Sequence, residues 1–198
     1  MHGYIRAAIS LLTPLFSLAI QASDQLEPAR NDVEIRGFNK GSATVRGYFD
    51  KALTPGVSLG ISVFKTHGWD AATIGPTYYI NAEMSAGLGV GASFYRANNE
   101  NTRSAHQTVS GFWSWKTNEW EAEILMERYS RDSNPWYHEG YVQRRVSDGI
   151  SVGLFAKKDS GWGPRLNYRV NQNLNLWVAP LVRRSGEASG IVGAIISF

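Results

Sequence analysis

The ionisable side chains that could do chemistry in this chain fall largely on one parity of an alternating sequence. Glu83, Glu119, Glu121, Glu123, Glu127 and Glu139 come first, and Arg145, Lys157, Arg165, Arg169 and Arg183 follow. Carboxylates two residues apart, such as Glu121 and Glu123, are the raw material of two-carboxylate hydrolysis or of an oxygen-ligand cation site. With arginines on the same face, a salt-bridge network is the favoured reading. A serine nucleophile needs a histidine within hydrogen-bond reach. His106 and Ser110 share a face, but Thr108 stands between them and the spacing is too long for direct contact. His138 belongs to the opposite face, His67 falls in a loop, and no His-x-Ser pair occurs. No catalytic residue, metal site or cofactor is expected, and the chain is not expected to be an enzyme.

Positioning such residues requires strands. From residue 32 onward, apolar and polar residues alternate with a period of two, broken by turn residues. The alternation predicts strands at 32–38, 42–50, 56–66, 70–80, 82–96, 102–116, 118–131, 135–147, 150–157, 161–171, 173–184 and 188–198. In 82–96, Met84, Ala86, Leu88, Val90, Ala92 and Phe94 share one face, with Ser85, Gly87, Gly89, Gly91 and Ser93 on the other. In 118–131, Trp120, Ala122, Ile124 and Met126 oppose the glutamates. One face thus suits hydrocarbon and the other does not. The composition agrees, with 43% hydrophobic residues and no cysteine to staple the fold.

The predicted architecture is an all-β antiparallel transmembrane barrel of about twelve strands. Ten is the main alternative, because the first strand is short and Gly75-Pro76 interrupts the fourth; eight is a more distant one. A soluble sandwich is the competing fold. The length of the middle strands and the clustering of aromatics at strand ends speak for the barrel. Phe49, Trp113, Trp115, Trp120 and Phe198 mark one end of the outward face, and Phe94, Trp136 and Trp162 the other, as in two interfacial girdles. Tight turns at Asn81-Ala82, Thr117-Asn118, Ser147-Asp148-Gly149 and Asn171-Gln172-Asn173 alternate with longer breaks, which assigns the tight end to the periplasm.

The charges then divide by face. Lys65, Arg96, Arg103, Arg128 and Arg184 lie on the lipid-side parity at external ends, where they can reach lipopolysaccharide phosphates or snorkel to water. The inward Glu and Arg sets place an acidic wall beside a basic one. Either they flank a water-filled path for small polar solutes, or they pair across the interior and plug it. Inward Trp177, Leu181, Ile191 and Ile195 add bulk, favouring a plug or a very narrow path. The formal charge of +3 forms no basic block or stripe, so no nucleic acid partner is expected.

Residues 1–22 carry a short n-region with His2 and Arg6, an apolar stretch Ala7 to Ile20 and a small residue at Ala22, the pattern of a secretory signal peptide. Residues 23–31 form a polar N-terminal segment, and 32–198 the barrel. The last strand reads Ala-Ser-Gly-Ile-Val-Gly-Ala-Ile-Ile-Ser-Phe, with Val192, Ala194, Ile196 and Phe198 on one face and an aromatic as the final residue. It resembles the C-terminal assembly signal of bacterial outer-membrane β-barrel proteins. The resemblance implies residence in the outer membrane among lipid and lipopolysaccharide, with the barrel assembly machinery as a partner. The function expected is a narrow pore or channel-like protein for small polar solutes. A closed barrel with a structural or surface-interaction role, binding lipopolysaccharide or a partner, is the alternative, and a lipid-modifying enzyme a more remote one.

Overall fold

A computed structural model describes residues 31–39, 43–66, 69–95, 104–130 and 136–198. The proposed signal peptide, most of the polar segment, His67, Arg96 and Arg103 lie outside the described residues.

Twelve strands form in chain order: β1 (Asn31–Phe38), β2 (Thr44–Thr54), β3 (Val57–Thr66), β4 (Trp69–Tyr79), β5 (Met84–Tyr95), β6 (Ser104–Lys116), β7 (Trp120–Tyr129), β8 (Trp136–Ser147), β9 (Ile150–Lys157), β10 (Gly161–Arg169), β11 (Leu174–Val182) and β12 (Ala188–Ser197). Each pairs antiparallel with its neighbours in sequence, and β1 pairs with β12 to close the cylinder. The short first strand is the closing strand, running from Asp32 opposite Ser197 to Phe38 opposite Ile191. Closure satisfies the backbone groups of both edge strands, which no water could do inside a bilayer. The twelve-strand expectation holds; β2 is longer than its prediction, continuing to Thr54 before a turn at Pro55-Gly56.

Local chemistry fixes the tight turns. Asn81 Oδ1 accepts the backbone N–H of Glu83 and Met84, both at 2.8 Å. Thr117 Oγ1 accepts those of Glu119 and Trp120 at 3.2 and 2.9 Å, and Asn171 Oδ1 those of Asn173 and Leu174 at 2.8 and 2.9 Å. One side-chain oxygen therefore caps each reversal in the manner of an Asx or ST turn. Gly56 and Gly149 complete the other tight reversals with φ of 81° and 82°, a region side chains resist. All five turns share one end of the barrel with Asn31 and Phe198, whose N–H bonds the Asn31 carbonyl at 3.0 Å.

Gly75-Pro76 does not end β4. Ile74 still faces Val90 and Thr77 still faces Gly87, so the register survives while the intervening positions drop out of the β4–β5 pairing. The β3 side is continuous, with Leu59 opposite Pro76. Proline is tolerated because its neighbours on the ladder hold the strand in place.

The exterior is apolar and open. Val90 is 61% exposed, Leu154 55% and Trp162 64%, an inversion of the soluble rule that only a bilayer explains. Phe49, Trp113, Trp120 and Phe198 face outward near the turn end, and Phe94, Trp136 and Trp162 near the loop end. Phe198 packs near Phe49, ring centroids 6.3 Å apart, reaching over β1 from the end of β12 to β2. Replacing Phe198 with Ala removes that contact and the outward aromatic of β12. The expected result is less heat-modifiable, folded protein in outer-membrane fractions at unchanged export, read by gel mobility before and after boiling. Unchanged folded yield would contradict the role of this strand in assembly.

Candidate functional site: a charged hub above a polar cup

Inward parity on β1 alternates Asp32, Glu34 and Arg36 with Val33 and Ile35, and on β2 Arg46 follows Thr44. These strands lie across the barrel from β7 and β8, which bring Glu127, Tyr137 and Glu139. The two sets meet in the lumen. Glu139 accepts two hydrogen bonds from Arg36, at 2.7 and 2.9 Å, and one from Arg46 at 2.7 Å. The Tyr137 hydroxyl donates to it at 2.5 Å and Lys157 Nζ lies 3.6 Å away. Arg36 also pairs with Glu34 at 2.5 Å, and Glu34 accepts Trp177 Nε1 at 2.8 Å. Glu127 accepts the Tyr129 hydroxyl.

Burial makes this arrangement obligatory. Arg36, Glu34 and Glu139 are all nearly inaccessible to water, and an isolated ion there would cost several kcal/mol. Three carboxylates, Glu34, Glu127 and Glu139, face three cations, Arg36, Arg46 and Lys157, so the cluster is electrically balanced. The forked guanidinium of Arg36 suits a bidentate grip that lysine cannot make.

Beside the hub, Phe155, Trp177, Ala179, Leu181 and Ile191 form an apolar cluster, with Phe38, Tyr141 and Ile195 packed against it. Trp177 joins the two: its N–H bonds Glu34, its ring lies 5.5 Å from the Arg36 guanidinium and 5.4 Å from the Phe155 ring. The ring occupies space left by Gly193, where a Cβ would come within 2.3 Å of it. Beside the hub Trp69 meets Tyr129 and Tyr137 edge to face and Phe64 at a tilt, and between Phe64, Trp69, Tyr137 and the hub charges lies a gap of only about 10 Å³, the space of about one water.

Below the hub the lumen widens into a cup of about 430 Å³ open at the turn end. Its floor includes Glu34, Arg46, Leu125, Tyr141 and Arg165, and its mouth Glu83, Lys116, Glu119, Arg145 and Arg169.

The predicted lumen residues therefore separate into four groups. Glu139, Glu127 and Lys157 enter the hub, and Glu121, Glu123 and Arg165 line the cup. Glu121 accepts Tyr141 at 2.7 Å and Gln143 at 2.9 Å. Glu83, Glu119, Arg145 and Arg169 stand exposed at the mouth, where Glu119 pairs with outward Arg144 at 3.2 Å. Arg183 lies at the loop end, paired with Glu187 at 3.2 Å. Arg36 and Arg46 arrive from the opposite side to pair with Glu139, in addition to the glutamates and cations that line the cup on neighbouring strands. Sequence reasoning missed Glu34, Arg36 and Arg46; their inward parity in β1 and β2 was the available signal. Of the outward set, Lys65 is exposed on β3, Arg128 lies 5.6 Å over the Trp136 ring, and Arg184 is exposed after β11.

Ser110 donates to Thr73 Oγ1 at 3.1 Å, away from histidine chemistry. His106 Nε2 and Thr108 Oγ1 are buried without hydrogen-bond partners among the described residues.

Removing Glu139 takes an acidic partner from Arg36, Arg46 and Lys157 at once. Glu139→Ala should lower stability by about 3–5 kcal/mol, whereas Glu119→Ala, which breaks an exposed pair, should cost about 1 kcal/mol or less. Denaturant unfolding in detergent followed by tryptophan fluorescence measures both, and equal effects would contradict the hub's importance.

No family model matches the sequence, and no curated protein sequence does. Solved structures do match in fold. The KdgM porin aligns over 85% of this chain and 99% of its own at 14% identity and TM-score 0.51. The same porin in complex with disordered oligogalacturonate gives a TM-score of 0.52 at 14% identity, with the same coverage of each chain. The outer membrane phospholipase A from Escherichia coli aligns over 92% of this chain and 96% of its own at 10% identity and TM-score 0.53. At these identities the likeness is one of fold: the chain has the architecture of the bacterial outer-membrane β-barrels.

Proposed function

We propose that this barrel is a narrow, channel-like protein for small polar solutes, opening to the periplasm through the cup and closed at mid-lumen by the Glu139 hub. The carrying observation is the polarity of the constriction. Glu34, Arg36, Arg46, Glu127, Glu139 and Lys157 meet where apolar packing would fill a purely structural barrel at lower desolvation cost. Ion pairs exchange partners more readily than packed hydrocarbon, so a hub of this kind suits a constriction that opens. The porin neighbours, one of them with bound oligogalacturonate, are consistent with this reading. Ser110 has Thr73 rather than a histidine as its partner, which supports a non-enzymatic role.

On this reading residues 1–22 direct export, and the face of Val192, Ala194, Ile196 and Phe198 engages the barrel assembly machinery. Lys65, Arg128 and Arg184, with Arg96 and Arg103, contact lipopolysaccharide at the outer rim. The apolar cluster around Phe155 and Trp177 favours a second reading, a closed barrel with a structural or surface-interaction role.

Planar-bilayer recording separates the two. Refolded wild type should give brief, small openings, Glu139→Ala longer and larger ones, and Glu121→Gln/Glu123→Gln a shift of ion selectivity toward anions. Silence from wild type and Glu139→Ala alike, with both shown folded by gel mobility, would overturn the channel.

A further inference from the structure

Arg165 is a buried inward cation that the hub does not use. It lies on the inward face of β10 and is only 3% exposed. Its guanidinium packs on rings instead of acids, 4.0 Å from the Tyr141 centroid, 4.4 Å from Trp177 and 5.9 Å from Phe155. Its Nε is buried with no hydrogen-bond partner, and among the described residues no carboxylate forms an ion pair with it. Glu121, an acid of the same cup, commits its two oxygens to Tyr141 and Gln143. A buried guanidinium short of partners is costly, and an incoming anion would relieve that cost.

The surroundings fit such a guest. Arg165 borders the floor of the 430 Å³ cup, within the size range of small-molecule sites. The paired position on β9 is Gly153, so no side chain stands beside it there. Toward the mouth the same face of β10 carries Asn167 and Arg169, with Ser151 opposite Asn167 and Arg145 on β8. Neutral donors and cations thus run from mouth to floor along one side.

We infer that the cup is a binding site for a small solute bearing an oxyanion, a carboxylate or a phosphate, with Arg165 as its anchor and Arg145 and Arg169 drawing it in. The aromatic rings hold the guanidinium planar and fixed, leaving its remaining N–H donors to meet two oxygens of the ligand. This deepens the proposed channel function by naming the class of solute, and it rests on the cup being open to solution.

The test uses the full refolded chain in detergent, with tryptophan fluorescence and calorimetry as readouts and succinate and inorganic phosphate as probes. Saturable binding of either probe is expected, and the one that binds identifies the source of the oxyanion. Arg165→Gln should weaken it by about tenfold or more, and Arg165→Lys should restore part of the loss. Lys51→Gln, exposed on the outward parity of β2, should leave it unchanged. Folding of each variant is checked by heat-modifiable mobility. No saturable binding of either anion to folded wild type would overturn the site. So would equal affinity in Arg165→Gln, or a preference for ethanolamine over both anions. Anion binding without conductance keeps the site and removes the channel, whereas conductance without anion binding does the reverse.

Discussion

Glu139 sits where water cannot hydrate its charge, and that constraint organises the lumen. A carboxylate so placed must be met by cations and hydrogen-bond donors from several directions. Arg36 and Arg46 come from the far wall, Lys157 from β9 and the Tyr137 hydroxyl from its own strand. The guanidinium of Arg36 then requires Glu34, and Glu34 takes the Trp177 N–H. Through Trp177 the ionic cluster is fixed to the apolar one, so the position of each charge depends on packing as well as on its partner.

Barrel size makes this arrangement possible. Twelve strands enclose more space than one layer of side chains fills, yet less than an open porin channel. The interior is resolved by height. The hub fills one level, and below it small residues such as Ser62, Thr73, Gly89 and Ser110, together with Tyr48, Tyr79 and Phe112, line the lumen and leave the cup. Glycine at 193 gives the Trp177 ring its place, and glycine at 153 keeps the wall beside Arg165 bare. A cup closed at one level and charged along its side can hold a solute without passing it freely. Such a vestibule is consistent with a gated passage and with a binding barrel alike.

Much of the fold was legible because a membrane barrel writes its environment into every second residue. Alternation located all twelve strands, and the Asn81, Thr117 and Asn171 turns were readable because one side-chain oxygen caps each reversal. Parity put Glu121, Glu139, Lys157 and Arg165 on the lumen side, but gave neither height nor a partner across the lumen. Glu119 reads like Glu121, yet a shift of two residues carries it from the cup wall to an exposed pair with Arg144. Arg36 and Glu139 are 103 residues apart, and only barrel closure through the short first strand brings them together. Strand order alone, which puts β1 and β8 on opposite sides, would have suggested the pairing had Arg36 been weighed with the other inward charges.

In the proposed channel the hub is the barrier between the cup and the loop side of the lumen. The chain has no cysteine, so a single Ser62→Cys in the cup wall provides a clean reporter. In proteoliposomes, a bilayer-impermeant thiol reagent should label it from the turn side in every variant. From the loop side, labelling should be slow with Glu139 present and fast with Glu139→Ala in the same folded chain. Equal loop-side labelling with and without Glu139 would contradict the claim that this carboxylate closes the lumen.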